Sequence, residues 1–310
     1  MNRAWSIIWK AALALVAFGV VMVIVGWAMG GWRPPSIGNL GNLAGGSSAE
    51  RVNKVPDIHI DEQALAAFST IDVSTETMNV TVVAGDHFGL KVDATNTPRT
   101  VTWSDQSGTL QLKQQSVAFN LSWTGEKADA TITVPTGTKV SNAGLTTATG
   151  SLTISVDCDS LSAQTATGAI NMSGAVANTL DARTNTGAIV LSGAAGSIQA
   201  NSSTGAVTIS GDSPTIAVTS TTGSVDVTGQ SAKVTVSSTT GAVSVTQSTP
   251  WASTMYSLTT TIGGITTQGA GAPSVPSGLN KSVRGGSSSG ATLTLNIDTT
   301  TGAISATLGG

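Results

Sequence analysis

From residue 149 to residue 248 the chain repeats itself every 18 or 19 residues. Thr-Gly, followed by Ala or Ser and then an aliphatic residue, starts at Thr149, Thr167, Thr186, Thr204, Thr222 and Thr240. Within this rhythm runs a faster one. Apolar pairs with one residue between their members fall at Leu152/Ile154, Leu161/Ala163, Ile170/Met172, Leu180/Ala182, Ile189/Leu191 and Ile198/Ala200. They continue at Val207/Ile209, Ile216/Val218, Val225/Val227, Val234/Val236 and Val243/Val245. The step is nine residues, with one step of ten before Leu180. Alternation of period two marks half-buried strands. A fixed longer period marks a repeat architecture in which each unit needs its neighbours to bury its apolar face.

Two folds satisfy this pattern, a solenoid and an antiparallel meander, and both alternate two kinds of turn. Every strand carries its apolar pair on one face, and no amphipathic helix is present to cover an open sheet. A coil that folds two sheets face to face, about 10 Å apart, buries those pairs against each other. The expectation is therefore an all-β chain: a parallel β-solenoid with about 18 residues per coil, right-handed as parallel crossovers nearly always are. Gly in "TTGAV" suits a corner where the next coil approaches closely. Stacked Ser and Thr clothe the outside of a chain in which only 10% of residues are charged.

Residues 51–140 show looser alternation, as at Ile71/Val73, Val80/Val82, Leu90/Val92, Val101/Trp103, Leu110/Leu112, Phe119/Leu121 and Ile132/Val134. They read as an N-terminal β region of the solenoid, with one short helical turn over "DEQALAAF", residues 61–68. Regular repeats follow over 141–248. Residues 249–310 read as irregular coils, with "TTTIGGITTQ" at 259–268, and a C-terminal coil closing the exposed edge at Thr301-Gly302-Ala303-Ile304.

The N-terminus carries a different signal. Residues 11–29, "AALALVAFGVVMVIVGWAM", contain no charged side chain, and with Ile7, Ile8 and Trp9 reach bilayer-spanning length. Trp5, Trp9, Trp27 and Trp32 bracket the segment at headgroup level. Arg3 and Lys10 precede it, so residues 1–10 are expected in the cytoplasm, with the lipid bilayer as partner of 11–29 and the remainder outside the membrane. The rival is a cleaved signal peptide, which normally has a shorter apolar core and a small-residue cleavage site. Residues 30–50, rich in Gly, Pro and Ser, read as a flexible linker.

Reactive chemistry is sparse. A net charge of -3 with no basic cluster argues against nucleic-acid binding. The single cysteine, Cys158, excludes an internal disulfide or a thiolate zinc cluster and reads as a small strand residue. His59 and His87, the two histidines, lack partners at metal-ligand spacing. Asp157 and Asp159 flank Cys158 on one strand face, the nearest approach to a cation ligand pair. The corners lack the aspartates of nonapeptide calcium rolls. Outward mid-strand residues (Asn171, Asp181, Val190, Gln199, Thr208, Ala217, Asp226, Thr235) form no regular threonine array. Trp103, Trp123 and Trp251 read as packing residues or sugar-stacking platforms. No catalytic, cofactor or metal residue is assigned, and no cofactor is implied.

The span, the strand region ending in "ATITVPTGTKV" at 130–140 and the serial "TGAIVLSG"-type units resemble a bacterial envelope family labelled "putative adhesin" or β-strand-repeat domain of unknown function. The resemblance covers about residues 65–310. It implies a right-handed β-helix-like domain at the bacterial surface and no established catalytic residues. The expected role is a membrane-anchored, extracytoplasmic, non-catalytic binding or adhesive module for cell-wall glycan or a surface protein. The alternative is a structural or regulatory envelope protein that self-associates or partners with membrane proteins in envelope organisation or stress sensing. A polysaccharide-cleaving β-helix would need clustered acids and bases that the sequence does not supply.

Overall fold

Every one of the eleven apolar pairs between Leu152 and Val245 is buried in the computed structural model, at most 3% exposed. Alternation put them on one side of each strand, and the burial patterns follow it, as in "eBiBeBee" over Thr215–Thr222. The structure describes residues 57–95, 99–116, 126–286 and 290–309. The expected membrane span, the linker and the Phe119/Leu121 pair lie outside the described residues. Among those described, no helix is long and apolar enough to cross a membrane.

Two twelve-stranded sheets carry the chain. In the repeat region they are parallel ladders in strict register. Leu161 lies opposite Leu180, Ile198 opposite Ile216, and Val218 opposite Val236 in the long-strand sheet. Val207 lies opposite Val225 in the short-strand sheet. Each coil therefore contributes one strand to each sheet and advances by 18 or 19 residues. Both inward faces meet in one apolar cluster.

Glycine sets the closeness of approach at the Thr-Gly corner. Gly205 and Gly223 have φ of +140° and +141°, and a Cβ on Gly223 would lie 2.1 Å from the Gly205 carbonyl oxygen. The backbone hydrogen bond from Gly223 N to Thr240 O, 2.9 Å, continues the ladder around this corner. Just before it, each strand of the long-strand sheet turns a hydroxyl inward. Thr165 Oγ1 donates to the Gly150 carbonyl at 3.1 Å and Thr184 Oγ1 to that of Gly168 at 3.2 Å. At these two rungs the buried hydroxyl binds a carbonyl of the preceding corner, whereas the equivalent Ser202, Ser220 and Ser238 hydroxyls are buried without a partner.

The two ends depart from the sequence-based expectation. Thr70–Thr75 and Asn79–Gly85 form a coil that docks in parallel on Val140–Thr149 and Leu152–Ile154. The intervening chain is laid outside it, with antiparallel pairs such as Gly89–Thr95 on Lys127–Pro135 and Arg99–Gln106 on Thr109–Ser116. The described residues between 57 and 135 thus join one parallel coil of the stack to antiparallel strands laid on it. Of the expected helical turn, residues 61–64 belong to the strand Ile58–Ala64 and residues 65–68 have no regular secondary structure. Phe68 and Phe88 meet edge to face there, centroids 4.8 Å apart.

At the other end, the C-terminal coil Leu293–Thr301 and Ile304–Leu308 does not close the stack. It is inserted between the Lys233–Gln247 coil and an outer coil, Thr254–Ile262 with Ile265–Gln268, which is as regular as the repeats. The physical reason is in the inward residues. Leu293, Leu295, Ile297, Ile304, Ala306 and Leu308 are fully apolar and suit an interior rung. The outer coil offers Tyr256, which stacks edge to face on Trp251 at 5.0 Å, while Trp251 Nε1 donates to Gln268 O at 2.8 Å. Aromatics with a polar handle suit a lid. The antiparallel strand Lys281–Gly285 then covers the edge of the long-strand sheet with Lys281 and Arg284, which discourages further pairing.

Val225→Asp should place an unpaired charge in the seam and cost about 4 kcal/mol or more. Gly223→Ala should cost roughly 2–4 kcal/mol through backbone displacement at the corner. Circular-dichroism melting of both variants checks this, and an unchanged melting temperature for either would contradict the packing described.

Candidate binding face

The outer face of the long-strand sheet is the broadest repeated chemistry that the fold creates. Residues between and beyond the inward pairs point to solvent, and the ladder register lines them into rows spaced about 4.8 Å from strand to strand. One row runs through Arg284, Ser257, Asn296 and Thr235. The next runs through Ser282, Thr259, Asp298 and Ser237. Together they bound an open depression lined by Thr235, Ser237, Ser257, Thr259, Asn296, Asp298 and Arg284.

Two charged pairs elsewhere on this side of the molecule close on one another. Arg183 Nε donates to Asp181 Oδ1 at 2.9 Å on one strand, and Lys139 pairs with Asp159 at 2.5 Å. Among the described residues, Arg284, Asn296 and Asp298 make no side-chain hydrogen bond or ion pair, and all three line the depression.

A second array was missed in the sequence. Thr149, Thr167, Thr186, Thr204, Thr222, Thr240 and Thr301 are all exposed and stand in one column along the corner. The mid-strand residues give no such pattern in either sheet, with Asn171, Val190, Thr208 and Asp226 in one and Asp181, Gln199, Ala217 and Thr235 in the other. The signal was the Thr of each Thr-Gly step, read one sheet at a time.

The individually suspected residues do not converge. His59 Nδ1 lies 3.0 Å from Asp93 Oδ1 at the solvent surface. His87 Nδ1 lies 2.5 Å from Asp86 Oδ1, a hydrogen bond that holds the Asp86 carboxyl below its usual range. Asp157 Oδ1 accepts from Ala175 N at 2.8 Å and serves a turn, while Asp159 serves Lys139. The two aspartates therefore form no cation site. Among the described residues no group of three or more His, Cys, Asp or Glu is placed to hold a metal. Trp251 is packed in the lid. Trp103 lies on the edge strand opposite Leu112 and is 37% exposed. Trp123 lies outside the described residues.

Cys158 is fully buried, between Val140 and Val176 of the adjoining coils. Burial, aided by the Asp157 and Asp159 carboxylates and opposed by Lys139, pushes its thiol up to about 11 from 9.0. It is a small apolar residue of the seam.

Parallel coils, a continuous aliphatic seam and polar outer rows define an all-β stacked-repeat domain. The chain belongs to the Toastrack DUF4097 family, whose match spans residues 68–306. It is similar in structure to a protein described as "putative adhesin" from Bacteroides fragilis, at 14% identity and TM-score 0.45, covering 81% of this chain and 97% of that one. A "putative adhesin" from Parabacteroides distasonis matches at 12% identity and TM-score 0.27, covering 79% and 95%. A "putative lipid binding protein" from the same organism matches at 11% identity and TM-score 0.26, covering 79% and 94%. No curated protein matches the sequence. The domain is thus a Toastrack domain of unknown function.

Because the folded thiol pKa is raised, Cys158 contributes stability that is fully present below pH 9 and lost as pH rises towards 11. Two pKa units correspond to roughly 2–3 kcal/mol. Urea unfolding at pH 8 and pH 11 should show this loss in the parent and not in Cys158→Ala. An equal loss in both would contradict it.

Proposed function

We propose that the protein is a membrane-anchored, extracytoplasmic β-solenoid that binds an extended polar ligand at the cell envelope without catalysing its conversion. The observation that carries this reading is the outer face of the long-strand sheet. Rows of hydroxyl and amide groups repeat along it in register, and exposed Arg284 and Asp298 line its depression. Such a face supplies many weak, directional hydrogen bonds with little charge, which suits avidity for a repetitive ligand. Attachment to the bilayer rests on the apolar stretch 11–29 and the flanking Arg3 and Lys10.

A second reading, self-association in envelope organisation or stress sensing, has its own supporting observation. Ile262 and Leu279 are 55% and 74% exposed, and Asn280 N donates to Thr261 O, which brings both to the outer-coil end of the stack. An apolar tip of this kind suits end-to-end contact between copies.

Intact cells producing the full chain with a C-terminal epitope should lose that epitope on treatment with external protease. Detergent-solubilised full chain should be retained on isolated cell-envelope material. Protection of the epitope would contradict the topology, and indifference to envelope material with concentration-dependent self-association would favour the second reading.

A further inference from the structure

At the outer end the order of the rungs differs from the order of the chain. Leu293–Thr301 and Ile304–Leu308, the last rung in sequence, lie between the Lys233–Gln247 coil and the coil of residues 254–268. The six residues 248–253 therefore step over a rung, a climb of about 10 Å at the usual strand spacing. A slot standing open for that rung would leave two faces of unpaired backbone and bare aliphatic side chains. The last rung therefore pairs with residues 254–268 before either meets the stack, and the two dock together.

The two sides of the inserted rung are bonded unequally. Towards the outer coil, Thr260 Oγ1 donates to Gly302 O at 3.0 Å. Trp251, at the end of the crossing segment, donates from Nε1 to Gln268 O at 2.8 Å and belongs to the same unit. Towards the Lys233–Gln247 coil, Ser238 faces Thr299 and Gln247 faces Leu308. The Ser238 and Thr299 hydroxyls and both amide atoms of Gln247 are buried with no partner. These are four of the seven such atoms among the described residues, so polar satisfaction is poorest at this seam. The backbone ladder and opposed aliphatic residues, Val234 with Leu295 and Val243 with Ile304, hold it together.

We propose that residues 251–309 form a two-rung plug that leaves the stack as one unit at this seam and docks on a second copy of the chain, giving a swapped dimer. The opened stack would present Val234, Val236, Val243 and Val245, all buried in the closed chain, and such a face does not stay bare. A rung with aliphatic residues at the matching register closes it, and the plug of a second copy carries that rung by identity. The crossing segment has room for the exchange, since six residues extend to about 20 Å, twice the climb they make here. Ser253 N and Thr254 Oγ1 both donate to the Pro250 carbonyl at 3.0 Å, so a local turn holds this hinge. Swapped and unswapped forms share one seam, and protein concentration sets their ratio. The exchange goes beyond the binding-module reading. It also differs from contact through Ile262 and Leu279, which leaves every rung on its own chain.

Paired cysteines in a Cys158→Ser background read the exchange in the detergent-solubilised full chain. Ser244 faces Ser305 across the seam, and Ser257 faces Asn296 inside the plug. After mild warming at high protein concentration and then oxidation, Ser244→Cys with Ser305→Cys should give a covalent two-chain species on a non-reducing gel. Under the same treatment Ser257→Cys with Asn296→Cys should cross-link within one chain. Hydrogen exchange supplies a second readout. The amides of Gly241, Val243 and Gly309, whose bonds cross the seam, should exchange together and about tenfold or more faster than those of Gly223 and Val225. Gln247→Leu, which removes both unpartnered amide atoms, should slow that exchange and the appearance of the two-chain species by about tenfold. No two-chain species from the first cysteine pair, two-chain species from both pairs, or equal protection of the two sets of amides would overturn the proposal. Retention on envelope material is read separately, so the binding-module reading stands or falls by its own experiment.

Discussion

Everything in this molecule depends on neighbouring coils approaching closely and in register, because no coil can bury its own apolar pairs. A Val or Ile brings about 1.5–3 kcal/mol when fully buried, while ordering each residue of backbone costs about 1–2 kcal/mol. With only two such residues per strand, a lone coil gains too little. Stacking changes the balance by satisfying the backbone ladder on both sides and completing the seam from both sheets. The corner glycines permit this. At Gly205 and Gly223 the neighbouring carbonyl occupies the place where a Cβ would stand. Thr165 and Thr184 add a bond from the strand to the preceding corner, tying the two sheets of successive coils together.

A stack has two ends, and both are finished by the same physical means. Each carries an edge-to-face aromatic pair over the seam, Phe68 with Phe88 and Trp251 with Tyr256. Antiparallel strands break the parallel register at the first end of both sheets and at the second end of the long-strand sheet, while the short-strand sheet ends there in the four-residue parallel strand Ile265–Gln268. At the first end Arg99 bridges Glu76 and Glu126, and its guanidinium pKa is raised although burial opposes it. These clasps fix segments distant in sequence. They also leave the apolar seam closed without a long exposed parallel edge.

The repeat region was legible in the sequence because its chemistry is local. Thr222-Gly223 and Val225/Val227 declare a corner and a strand within six residues, and the coil length follows from their recurrence. The ends were not legible for the opposite reason. Nothing near Leu295 states that it inserts between Val234 and Tyr256 rather than stacking beyond the Thr254–Ile262 coil, since that choice turns on whether Tyr256 or Leu295 is better placed in the interior. The candidate binding face was hidden similarly. Arg284, Ser257, Asn296 and Thr235 become neighbours only through the exchanged coil order, so no sequence window contains them. Thr204 and its equivalents were visible as a motif, but their alignment in one exposed column required knowing that alternate half-repeats belong to different sheets.

The functional reading inherits its geometry from that register, since a face of evenly spaced hydrogen-bonding groups exists only while coils stay aligned. The most direct measurement is therefore disulfide trapping between adjacent coils in a Cys158→Ser background. Cysteines replacing Thr204 and Thr222, which stand opposite each other, should cross-link readily on mild oxidation of the native protein. Cysteines replacing Thr204 and Ser213, half a coil apart, should remain reduced. Preferential cross-linking of the second pair would mean that half-repeats pair with each other, and the stacked-coil account would fail.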